Sequence, residues 1–95
     1  MRDIPHIVSA EAVIPGVLKL VWDDDFAGVV DLRPVIVRDR TFAFLQNATN
    51  FQKVKVSEYG RTLGWTNEDG QLIDFGSVSL RQRAERQAEL HMQAG

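Results

Sequence analysis

The chain has 95 residues, 44% of them hydrophobic, with eleven basic against thirteen acidic side chains and no cysteine. That length makes one small domain, 1–95, around a single core, and the absence of cysteine excludes a disulfide scaffold, a thiolate zinc site, an iron–sulfur cluster and a cysteine nucleophile. A net charge of −2 is too balanced for a histone-like protein or a polybasic membrane binder.

Met1 to His6 has no apolar run of the signal-peptide kind. The longest unbroken apolar stretch, Phe42-Ala43-Phe44-Leu45, falls far short of the roughly 20 residues of a membrane span, so a cytoplasmic bacterial protein is expected. Ile7 to Ile14 alternates with the period of a half-buried strand, placing Val8, Ala10, Ala12 and Ile14 on one face and Ser9 and Glu11 on the other. After the turn Pro15-Gly16, Val17 to Trp22 turns Leu18, Leu20 and Trp22 inward and Lys19 outward. The acidic turn Asp23-Asp24-Asp25 leads to a third strand, Phe26 to Leu32, and these three read as an antiparallel meander. Pro34, which has no amide to donate, ends the third strand.

Two short helical turns come next, with Thr41 and Asn50 as N-caps, burying Phe42, Leu45 and Phe51. Strand character resumes at Val54, Val56 and Tyr59, Gly60-Arg61 turns the chain, and Leu63 and Trp65 pair with Leu72 and Ile73 across Asn67-Glu68-Asp69-Gly70 as a second hairpin. Ser77 then caps a helix over 77–93, free of Pro and Gly. The predicted class is α+β: an antiparallel meander, a second hairpin, short helical turns between them and a C-terminal helix. Leu18, Leu20, Trp22, Val30, Phe42, Leu45, Phe51, Val54 and Trp65 form the expected core.

Chemistry is scarce. Asp23 to Gly28 begins like a calcium loop, but its fifth position is Ala27 and its twelfth Pro34, so the oxygen ligands are too few. His6 and His91 stand at opposite ends with no metal-ligand spacing, the serines lack a nucleophile elbow, and the glycines form no phosphate-binding loop. No metal, no cofactor and no enzymatic activity are expected.

Charge is unevenly spread: residues 33–61 carry six basic side chains against two acidic ones, while 1–32 carry two against six. Arg33, Arg38, Arg40, Lys53, Lys55 and Arg61 are thus the candidates for a nucleic-acid surface, with an aromatic such as Tyr59 available for stacking. In the terminal helix Leu80, Ala84, Ala88 and His91 form a thin small-residue stripe, with Gln82, Glu85, Arg86 and Glu89 on the far side. So narrow a face gains little from docking, which leaves two readings: the helix packs on its own sheet, or Ala84, Ala88 and His91 meet a protein partner or a second copy. Trp65 and the acidic residues Asp23, Asp24 and Asp25 are further candidates for protein contact.

The run Leu18 to Trp22, Phe26, Asp31-Leu32-Arg33-Pro34, Phe42, Leu45, Phe51, Val54, Val56, Gly60, Leu63, Trp65, Gly70 and Leu72 resembles the bacterial domain-of-unknown-function family 2442, over residues 6–75. The resemblance implies a small α+β protein without established activity. Some members are encoded beside a second small protein in a toxin–antitoxin-like pair, and some carry a helix-turn-helix domain. The triple-Asp turn, the lengthened loop Thr66 to Gly70 and the helix over 77–93 depart from the family pattern. Two functions are compatible with these features: a non-enzymatic, antitoxin-like protein-interaction module, or a nucleic-acid-binding regulator using the basic segment 33–61.

Overall fold

A computed structural model describes residues 5–94, and the side chains up to residue 88. The fold is α+β, built from two three-stranded antiparallel sheets, short helices between them and one long helix. Strands β1 (Ile7–Ile14), β2 (Val17–Trp22) and β3 (Ala27–Asp31) form the first sheet in the order β1-β2-β3. Leu18, Leu20, Trp22 and Val30 are completely buried on its inner face.

Strand β1 departs from simple alternation. Ile7 is buried while Val8 and Ile14 lie open to solvent, because register shifts between Ile7 and Ser9 and between Ala12 and Ile14 change the phase of the strand twice. An extra residue on one strand of a pair moves the residues beyond it to the other face. Ala10 and Ala12 therefore supply the inner face, and the expectation that Val8 and Ile14 join them is corrected.

A helix not expected from the sequence, α1 (Arg33–Arg38), succeeds β3 and buries Ile36. Pro34 sits in its first turn, where the missing amide costs nothing, so the proline that ends the strand also opens a helix. A 3-10 helix (Arg40–Gln46) and α2 (Ala48–Phe51) come next. Their caps are Asp39, whose side chain accepts from the Thr41 amide, and Asn47, which accepts from the amides of Thr49 and Asn50. The caps thus precede the expected Thr41 and Asn50, which stand inside the helices as the residues being capped. Leu45 and Phe51 are buried, and Phe42 and Val54 are half-buried against the core.

The second sheet comprises β4 (Lys55–Val56), β5 (Thr62–Thr66) and β6 (Leu72–Gly76), with β5 central. Leu63 and Trp65 face inward; Trp65 stacks on Phe51 at 5.4 Å, meets Phe75 edge-on and donates its indole hydrogen to the Phe51 carbonyl at 2.9 Å. The sheets approach at Gly60, whose carbonyl accepts from the Ile7 amide at 2.7 Å. Gly60 has φ of 69°, and a Cβ there would collide with the Ile7 backbone, so both conformation and space require glycine.

Helix α3 (Ser77–Ala94) packs against β3, burying Leu80 and Ala84. The fit is close because Ala84 meets Gly28: a Cβ added at Gly28 would lie 3.0 Å from that of Ala84. Ser77 is 1% exposed, and its hydroxyl does not serve as a simple cap; it accepts from the Trp22 indole nitrogen at 3.0 Å and donates to the Pro5 carbonyl. Among the described residues no buried polar side-chain atom lacks a partner. Ser77→Ala strands the Trp22 indole donor, at a cost of about 1–3 kcal/mol. In a domain this small the melting temperature falls by about 4–8 °C per kcal/mol, and a midpoint within a degree of wild type would contradict the assigned bond.

Candidate functional site

The acidic turn between β2 and β3 is committed to holding α3. Asp24 takes two 2.9 Å contacts from the guanidinium of Arg81, one to each carboxylate oxygen, and accepts from the Phe26 amide at 3.3 Å. Arg81 is itself pressed 4.0 Å above the Phe26 ring and 5.4 Å from the Trp22 ring, and reaches Glu85 one turn along at 3.1 Å. Hydrogen bonding from Arg81 holds the Asp24 carboxyl below its ordinary range and raises the guanidinium further. Asp23 accepts from the His6 amide at 3.1 Å and faces its imidazole at 3.4 Å, while Asp25 takes the left-handed conformation the turn needs.

These positions change the reading of the protein-contact candidates. Trp65 is 2% exposed and Ala84 1%, so both belong to the core and neither side chain is available to a partner. Ala84 is buried because Gly28 leaves room for it; a thin stripe suffices for docking when the opposing strand carries no side chain. Ala88 is exposed, and the His91 side chain lies outside the described residues.

The cations of the basic segment stand on several elements. Arg33 is bound to Asp31 by two contacts of 2.9 and 2.8 Å, which lower the Asp31 carboxyl and neutralise the pair. Arg38 closes α1 and Arg40 opens the 3-10 helix, with Asp39 between them. Arg61 precedes β5, where its carbonyl accepts from the Ser77 amide. Lys53 and Lys55 do share a depression of about 550 Å³ on the outer face of the second sheet, with Gly64 and Asp74 also in its lining. The register sets Lys55 and Asp74 on either side of Gly64, so a carboxylate offsets the lysines.

A different cationic surface emerges on α3. Ser79, Gln82, Arg83 and Arg86 are exposed and fall within an arc of roughly 100° on one flank of the helix, between the buried stripe of Leu80 and Ala84 and the far side that carries Glu85. They line a groove of about 570 Å³ between the helix and the β3–α1 junction at Asp31 and Pro34. Gln87, at the inner edge of this groove, accepts from the Asp31 amide at 3.3 Å and ties the helix to the strand end. Because Arg33 already neutralises Asp31, the groove keeps the positive character of Arg83 and Arg86. Reading basic residues along the chain misses this pair, whereas winding 77–93 as a helix brings them together.

No family model and no curated protein matches the chain. A crystal structure of a putative DNA-binding protein from Nitrosomonas europaea is similar in fold, with a TM-score of 0.70 over 94% of this chain at 19% sequence identity. The matched region is 56% of that protein's length. No helix among the described residues is long and apolar enough to cross a membrane.

The Asp24–Arg81 contact has a signature in acid. A carboxyl lowered by its partner contributes stability that is fully present above its unfolded pKa and is lost as pH falls through the folded value. The stability difference between wild type and Asp24→Asn should be constant from neutrality down to the ordinary carboxylate range and shrink toward zero below it. Chemical denaturation at a series of pH values checks this; a difference that persists unchanged in acid contradicts the assigned pair.

Proposed function

We propose that the protein is a non-catalytic module that binds duplex nucleic acid by presenting the flank of α3 that carries Arg83 and Arg86 to the major groove. The arc Ser79, Gln82, Arg83 and Arg86 carries this reading. Arginine pairs with guanine and glutamine with adenine through the groove edges, and both contact phosphate. An 18-residue helix is about 27 Å long, and at about 10–12 Å across it suits a groove about 12 Å wide. The helix is held rigidly from behind by Leu80, Ala84, Arg81 and the Ser77–Trp22 bond, so its outer side chains project from a fixed support. The fold shared with a protein named for DNA binding is in keeping with this role.

A net charge of −2 limits long-range attraction, so binding belongs to low ionic strength. A protein-interaction module, antitoxin-like as the resemblance to family 2442 suggests, is the second reading, and the exposed valines on the first sheet favour it.

Fluorescence anisotropy with a labelled mixed-sequence duplex tests the proposal. Arg83→Ala and Arg86→Ala should each weaken binding about tenfold or more if they reach bases, and each lost phosphate contact should reduce the salt slope by about one. The double variant Lys53→Ala/Lys55→Ala should bind like wild type. Absence of wild-type binding at low salt, or arginine variants that bind unchanged, removes the assignment to α3.

A further inference from the structure

The aromatic side chains of this domain are almost all enclosed. Trp22, Trp65 and Phe51 are buried, and Phe26, Phe42, Phe44 and Phe75 are half-buried against the core. Tyr59, 71% exposed, is the one aromatic of the described residues that stands open to solvent. It lies on the turn before β5, in a hollow shared with His6 and Asp23, and takes no part in the groove beside α3. That groove offers arginine, glutamine and serine from the helix and Pro34 opposite them, with no aromatic ring in its lining.

We infer that the ligand of this flank is B-form DNA, contacted over about three base pairs of one major groove, to the exclusion of single strands and of duplex RNA. The inference rests on the reading of α3 as a nucleic-acid surface and narrows it. Proteins hold single strands by stacking the bases on aromatic side chains beside a basic track, and the α3 flank has the cations without the aromatics. Duplex RNA has a major groove too deep and narrow for side chains to read, and modules that grip it reach across two successive minor grooves, a span of about 16 base pairs.

The α3 flank is much shorter than that. From Ser79 to Arg86 the helix rises about 10.5 Å, close to three base-pair steps of about 3.4 Å. Contact of this length suits the edges of a few neighbouring pairs in a wide groove, where arginine reaches guanine and glutamine reaches adenine. Glu85, held by Arg81 at 3.1 Å, borders the flank on one side and the β3–α1 junction borders it on the other, so the reading side chains stand within narrow limits.

Competition anisotropy at low ionic strength, with the full chain bound to a labelled mixed-sequence DNA duplex, separates the possible ligands. Unlabelled DNA duplex should displace the label, whereas the RNA duplex of the same sequence and a single DNA strand should each need a concentration higher by about tenfold or more. Tyr59→Ala should leave every one of these competitions unchanged, because no base stacks on that ring. An RNA duplex or a single strand that competes as well as the DNA duplex, or a Tyr59→Ala variant that loses affinity, overturns the inference. A labelled duplex that does not bind at all removes the assignment to α3 itself, and with it this inference, so the two failures are told apart.

Discussion

The buried hydrogen bond between the Trp22 indole and the Ser77 hydroxyl is the contact on which the arrangement of this domain turns. It joins the last residue of β2 to the first of α3, 55 positions apart, inside the core. Ser77 uses its hydrogen for the Pro5 carbonyl and its amide for the Arg61 carbonyl, so one small residue meets the N-terminal segment, the start of β5 and the first sheet. A buried indole N–H without an acceptor would be costly, and this need fixes where α3 begins. The direction of the helix across β3 is then set by Leu80, Ala84 and the Arg81 clamp.

That geometry explains how a helix with little apolar surface can be docked firmly. Ala84 against Gly28 brings the helix close to the sheet, and closeness compensates for small side chains because dispersion falls off steeply with distance. Arg81 adds a flat cation over Phe26, held down by Asp24 at the far side of the β2–β3 turn. The acidic turn and the helix therefore form one unit. The same unit leaves Gln82, Arg83 and Arg86 on the solvent side, where an ordered helix presents them together.

The strands were legible because period-two alternation is strong where one face is buried: Leu18, Leu20 and Trp22 against Lys19 gives the second strand without ambiguity. Legibility failed where a local signal has two meanings. Pro34 reads equally as the end of β3 and as the opening of α1. Asp39 and Asn47 cap helices two or three residues ahead of the amides they serve, so Thr41 and Asn50, each a good capping type, draw attention to the wrong side of the boundary. The bulges in β1 leave no mark in composition, and only the register shows why Val8 and Ile14 face solvent. A stripe centred on Ala84 looks too thin to dock until Gly28 is placed opposite, a pairing 56 residues distant in sequence. For the site, counting charge along the chain singled out residues 33–61, where Arg33 is neutralised by Asp31 and Lys53 and Lys55 share their depression with Asp74.

The central claim is that α3, fixed from behind by Trp22, Ser77 and Arg81, is the surface the protein offers to a ligand. Amide chemical shifts, followed as unlabelled duplex is added to isotopically labelled protein, report this position by position. The account predicts that shifts concentrate at Ser79, Gln82, Arg83 and Arg86 and at the neighbouring Asp31–Pro34 junction. Shifts centred instead on Lys53, Lys55 and β4–β6, or none at low salt, would contradict it.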